Sequence, residues 1–175
     1  MTRIIGTVLL LCHLTHNSAS AENVNGVPIV TSTESKTILF ITGAFVTSDG
    51  WDEWKKYFEQ KGYTVYAPAW PYKDASADEL RSRHPDRGLA SLTLDSLVNY
   101  YAAFAEKLPE KPILIGHSTG GLVAQLLLQR GLGAAAVAYH SVPPQGVLTL
   151  KFSFVKSVTP VLGLFTSKNK IYDVI

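Results

Sequence analysis

Cysteine is almost missing from this sequence: the one copy, Cys12, sits in the opening apolar segment. Charge is sparse too, at 17% of residues with a formal net charge of +2. No Lys/Arg stripe stands out, so the chain lacks the electrostatic footprint of a nucleic-acid binder. No apolar run is long enough to hold a stable membrane span. Outside the opening segment the histidines are His84, His117 and His140, and their spacing is not that of metal ligands. No phosphate-binding loop, internal repeat or low-complexity tract is present. These absences leave a globular protein expected to need neither metal nor cofactor.

What is present begins with a leader. Arg3 supplies a positive start, Ile4 to Leu14 a short apolar run, and Ala19-Ser20-Ala21 a small-residue cleavage site. This is the three-part pattern of a signal peptide spanning residues 1–21, with a buried first helix or strand as the alternative reading. Cleavage removes Cys12, so the mature chain would have no disulfide or thiol chemistry, which suits export to a periplasm or secretion. Residues 22–35 form a polar leader rich in Asn, Gly, Pro, Ser and Thr.

From Lys36 the pattern changes. Hydrophobic residues make up 46% of the 175-residue chain, enough for one domain with a core. Thr37–Ile41 reads as a buried strand ending near Gly43. Ser48-Asp49-Gly50 offers a helix cap, and Trp51, Trp54 and Tyr57/Phe58 recur at helical spacing until Gly62. Tyr63–Ala67 is the next strand. Trp70–Leu89 is polar and reads as a long loop with a helical turn. Leu94, Leu97, Val98, Tyr101, Phe104 and Leu108 mark one face of a second helix. Ile113–Ile115 is a third strand, 118–130 a third helix, and Ala135–Tyr139 a fourth strand. Strand and helix alternate throughout, which predicts the α/β class: a mostly parallel sheet, helices on both faces, right-handed crossovers. Ligands of such sheets bind beyond the carboxyl ends of the strands.

Gly116-His117-Ser118-Thr119-Gly120 fits the pattern G-x-S-x-G. A chance occurrence in a chain this long has a frequency of roughly 5%, so the flanking elements carry the reading. The segment falls between a strand and a helix, where a sharp turn would lift the serine hydroxyl out of the sheet. Ser118 is then the candidate nucleophile. The Thr119 N–H, at the positive end of the helix, would face the developing oxyanion. The alternative is an ordinary glycine-rich strand-to-helix turn.

On the Gly43-Ala44-Phe45 turn, Trp51/Trp54 and the segment from Gly116 to Gly121, the run from Lys36 to Gln145 resembles the α/β-hydrolase fold superfamily, in its serine esterase/lipase-like branch. The resemblance implies a core over residues 36–146 that is the N-terminal half of that fold. It implies a second oxyanion donor from the loop after the first strand, Ala44 in first place and Phe45 in second. It also implies a small-molecule or lipid-like ester substrate. The family usually has His-Gly where this chain has Thr42-Gly43, but a backbone donor does not depend on that side chain. Phe45, His117 and His140 are the expected pocket-lining residues.

After Ser118 the chain offers one acid, Asp173, and one histidine, His140, in the reverse of the family's order of nucleophile, acid, histidine. The triad is therefore incomplete within these residues, and the apolar stretch 147–175 reads as the start of a cap or lid cut short. The chain is expected to be part of a longer hydrolase. The alternative from a different class is a noncatalytic binding or interaction protein on the same fold. Export makes a direct prediction: protein recovered outside the cytoplasm should give Glu22 as its first residue on N-terminal sequencing, and a mature protein beginning at Met1 or Thr2 would rule the leader out.

Overall fold

The computed structural model describes residues 33–144, Val147, and the backbone of two short strands, β1 (Glu22–Val24) and β2 (Val27–Ile29). The chain divides into two compact units between Glu34 and Ser35. In the first unit, β1 and β2 pair antiparallel, with Glu22 opposite Ile29 and Val24 opposite Val27. This hairpin lies where the sequence suggested only a polar leader; the strands have three residues each, too few to show an alternating pattern. The expected lid, beyond Val147, and the expected signal peptide lie outside the described residues.

The second unit holds a four-stranded sheet in the order β4-β3-β5-β6, with every pair parallel. The strands are β3 (Thr37–Ile41), β4 (Thr64–Tyr66), β5 (Ile113–His117) and β6 (Ala135–Tyr139). A 3₁₀ turn over Ser48–Trp51 leads into α1 (Asp52–Gln60), so the residues expected to cap that helix form a turn of their own. Helix α4 spans Leu94–Ala105 and begins with a reciprocal cap between Thr93 and Ser96. Helix α5 spans Thr119–Gln129. The polar stretch after β4 contains two short helices, α2 (Ala77–Ser82) and α3 (Arg87–Ala90). Each is capped by a side-chain oxygen, of Ser76 and Asp86 respectively.

Successive side chains of a strand point to opposite faces, which divides the core in two. Leu39, Ile41 and Leu114 face α4 and α5, where they meet Leu97, Val98, Tyr101, Val123 and Leu127. Ile38 and Phe40 face the other way, against Trp51, with Phe58, Ile113 and Ile115 around them. The helices therefore cover both faces, as the strand–helix alternation predicts. Phe40 is the keystone of the second layer. It is fully buried, stacks on Trp51 at 4.5 Å between ring centroids, and leans on Phe58 at 6.1 Å.

The registers place the functional end of the sheet. Ile41 pairs with Gly116, and His117 pairs with Tyr139, so the carboxyl ends of β3, β5 and β6 finish side by side. Removing the Phe40 ring should cost about 3–5 kcal/mol, the range for emptying a buried aromatic site. Urea unfolding of Phe40→Ala should show a lower midpoint with an unchanged slope. A loss under about 1 kcal/mol would mean that this layer is not packed as described.

Candidate active site

The turn from β5 into α5 is the most constrained piece of backbone in the sheet. Ser118 sits at φ 55°, ψ −120°, a region that residues with a Cβ avoid. Strain of this kind costs of order 1–3 kcal/mol and persists only where its surroundings hold it. Here they do. The Ser118 N–H donates to the Tyr139 carbonyl at 3.1 Å, and the Ser118 carbonyl accepts from the N–H groups of Gly121 and Val142 at 3.0 and 3.1 Å. A Cβ at Gly116 would stand 2.1 Å from the Gly120 carbonyl oxygen, and one at Gly120 would stand 2.1 Å from that of Ile41. No side chain fits at either position, so the glycines are what let β3, β5 and α5 close on one another.

The loop after β3 lies directly against this turn. A Cβ at Gly43 would be 3.0 Å from both Ser118 Cβ and His117 Nδ1. Gly43-Ala44 and Ser118 are thus neighbours, and α5 begins at Thr119, immediately after the serine. Ala44 is half-buried, and Phe45 beside it is 77% exposed. Among the described residues, no histidine or carboxylate forms a hydrogen bond with the Ser118 hydroxyl.

His117 is half-buried, and burial pushes its imidazole below the ordinary pKa, with the nearby charge of His140 adding in the same direction. Tyr139 lies between the two histidines. Its ring is 5.6 Å from that of His117 and stacks on that of His140 at 4.3 Å. His140 is exposed and has a positive φ of 44°, so the chain turns sharply as it leaves β6. The structure therefore brings Gly43 against His117 and Ser118, with Ala44 next to Gly43 and Thr119 next to Ser118 in the chain; Tyr139 links His117 to His140, and Phe45 is exposed to solvent.

Two residues at this site escaped the sequence reading. Trp70 donates its indole N–H to the Thr42 carbonyl at 3.0 Å, and Lys73, 7% exposed, donates from Nζ to the carbonyls of Gly43, Ala44 and Val46. The available signal was position: both follow β4 at the carboxyl edge of the sheet, where ligand sites of such folds gather. An open depression of about 500 Å³ lies in the same region, lined by Pro68, Trp70, Tyr72, Asp74 and Tyr100 among others, but it includes neither Ser118 nor Ala44.

A parallel sheet with a strained serine between a central strand and its following helix defines an α/β-hydrolase fold. Residues 38–171 match the model of the Alpha/beta hydrolase family, and the chain belongs to that family. Among solved structures, a variant of tomato methylketone synthase I complexed with β-ketoheptanoate aligns at 20% identity with a TM-score of 0.53. That alignment covers 75% of this chain and 50% of the synthase. An extracellular α/β-hydrolase from a Paenibacillus species aligns at 23% identity and TM-score 0.49, over 62% of this chain and 41% of its own. A methylesterase from Arabidopsis aligns at 18% identity and TM-score 0.47, over 62% and 44%. The chain spans half or less of the length of these proteins, and at such identities the likeness is one of fold. No curated protein sequence matches the chain significantly.

The pairing of His117 with His140 can be checked directly. In an NMR titration of the imidazoles, His117 should titrate below 6.5. His140→Gln should move it up only part of the way, because burial is the larger cause. A His117 pKa above 6.5, or full recovery in the variant, would contradict the geometry.

Proposed function

We propose that this chain carries the nucleophile half of a serine hydrolase acting on an ester-like or other acyl substrate, with Ser118 as the nucleophile. The observation that carries the reading is the Ser118 backbone, held at φ 55° beside Gly43 at the carboxyl end of the sheet. Such a turn presents a hydroxyl to the crevice and sets it between two groups of backbone donors. In the reaction, Ser118 Oγ attacks the acyl carbon and its proton passes to a base. The carbonyl oxygen, now negative, is held by the N–H groups of Ala44 and Thr119. The intermediate then collapses: the bond from the acyl carbon to the alcohol oxygen breaks, and the alcohol leaves with the proton that the base had taken. Water attacks the acyl-serine, giving one proton to the base, and the acid leaves as that proton returns to Ser118 Oγ. Phe45, His117 and His140 line the approach, and the exposed Phe45 ring suits an apolar, lipid-like substrate portion. In this reading the base and its acid lie outside the described residues, in the part of the fold that the half-length match to the solved structures leaves uncovered.

Among the described residues no helix is long and apolar enough to cross a membrane. Export after removal of residues 1–21 fits a hydrolase working on small molecules outside the cytoplasm, and rests on the leader pattern alone. The noncatalytic alternative is favoured by one observation: among the described residues the Ser118 hydroxyl has no histidine partner.

One comparison separates the two readings. Hydrolysis of p-nitrophenyl esters is measured for the 175-residue chain, for the protein extended through its downstream reading frame, and for the extended Ser118→Ala variant. The extended protein should turn over, the chain alone should be nearly inactive, and Ser118→Ala should lose at least about 10³-fold. Equal activity in the extended protein and its Ser118→Ala variant would remove Ser118 from the mechanism. An inactive extended protein would favour the binding protein.

A further inference from the structure

The loop that follows β3 is gripped from one side. Trp70 and Lys73 belong to one turn, closed by the Lys73 N–H donating to the Trp70 carbonyl at 3.0 Å. From that turn the Trp70 indole reaches the carbonyl of Thr42 at 3.0 Å. The Lys73 ammonium reaches those of Gly43 at 3.3 Å, Ala44 at 2.9 Å and Val46 at 2.8 Å. The ammonium also lies 4.7 Å from the centre of the Trp70 ring. Four carbonyls within five residues are therefore drawn to the same side. A buried lysine is rare unless paired with a carboxylate, and among the described residues Lys73 forms no ion pair. Its acceptors are all backbone.

The consequence follows from the planar trans peptide, in which C=O and N–H point in opposite directions. Holding the Gly43 carbonyl fixes the direction of the Ala44 N–H, and holding the Ala44 carbonyl fixes that of the Phe45 N–H. Among the described residues neither N–H donates to a protein acceptor, so both are left for a ligand. The geometry points to Lys73 as a positioning residue: a cationic clamp that aims the Ala44 N–H, with the Phe45 N–H next to it, at the oxyanion that the Thr119 N–H holds from the other side. This inference rests on the serine-hydrolase reading above. It adds a residue that never touches the substrate and acts through the backbone it holds.

The clamp depends on charge. An ammonium has three N–H donors for three carbonyls; a neutral amine has two donors and a lone pair that would face an oxygen. Desolvation by burial lowers the Lys73 pKa to about 8. The groups around it are the Trp70 ring and the backbone of residues 43–46. Of the nearby titratable side chains, Asp74 acts on Tyr100, and His117 stands across Gly43. Above pH 8 one bond must fail, and the longest, to Gly43, is the one that orients Ala44. The stability effect runs the other way. Between pH 8 and 10.5 the unfolded chain holds a proton on Lys73 that the folded chain has lost, so this residue's contribution to global stability rises with pH. Loop loosening and alkaline unfolding are thereby separable.

The test uses the 175-residue chain for structure and the extended protein for activity. In the chain, the amide resonances of Ala44, Phe45 and Val46 should shift together between pH 7 and 9, with the midpoint of the Lys73 Nζ signal, while the unfolding midpoint in urea does not fall. Lys73→Arg should keep the loop fixed through that range, since guanidinium stays charged, and Lys73→Met should abolish the titration. In the extended protein at pH 7, Lys73→Met should lower kcat about 10- to 100-fold with KM within twofold, and Lys73→Arg should restore part of it. Loop amides that ignore the Lys73 titration, or Lys73→Met with unchanged kcat in a protein that Ser118→Ala inactivates, would overturn the clamp. If Ser118→Ala leaves hydrolysis intact, the catalytic reading fails while the amide titration still reports on the clamp itself.

Discussion

Everything at the carboxyl end of this sheet depends on three stretches of backbone meeting with no side chain between them. Gly116 lies against Gly120, and Gly120 lies against Ile41, at separations that a single methyl group would prohibit. Because α5 can come that close, the strand–helix turn is tight enough to force Ser118 into its strained conformation. Because β3 is equally close, the loop at Gly43 is set beside the serine. The parallel registers supply the alignment, with Ile41 opposite Gly116 and His117 opposite Tyr139. The hydrophobic layers on the two faces hold the register. The chemistry proposed for the site is a result of that packing.

Lys73 shows how a residue can be costly for stability and useful for geometry. Removing a charge from water is unfavourable, and three dipolar acceptors compensate only in part, as its depressed pKa reflects. A second lysine carbonyl clamp of this kind does not occur among the described residues. Trp70 shares the work by shielding one side of the ammonium and taking the Thr42 carbonyl, and Tyr101 adds a hydroxyl bond to the Pro68 carbonyl at 2.8 Å. The chain after β4 is thus fastened at several points to the functional edge of the sheet, although it carries few regular elements.

The legible part of this fold was the periodic part. Thr37–Ile41 and Ala135–Tyr139 are strands with the bounds expected from their apolar runs, and Trp51 and Phe58 fall at helical spacing on a buried side. The turn at Ser118 was legible because glycine spacing reports a local steric need. The clamp was not, because nothing local distinguishes a buried lysine from a solvated one, and Trp70–Leu89 is mostly polar. Its burial is decided by carbonyls nearly thirty residues earlier in the chain. The stacking of His140 on Tyr139 was hidden for a similar reason: the positive φ at His140 turns the ring back along the strand. The segment's alternation of residue types gives no sign of it.

The hydrogen bonds at Ser118 also tie the serine to a neighbouring strand. Its N–H is held by Tyr139 and its carbonyl by Val142, both well downstream in the chain, while Gly121 supplies a local bond to the same carbonyl. The close packing of Gly116, Gly120 and Ile41 sets the turn, and the end of β6 latches it. The serine can therefore be disturbed from a distance: a change that shifts β6 would withdraw two bonds from the Ser118 backbone without altering any residue of the turn.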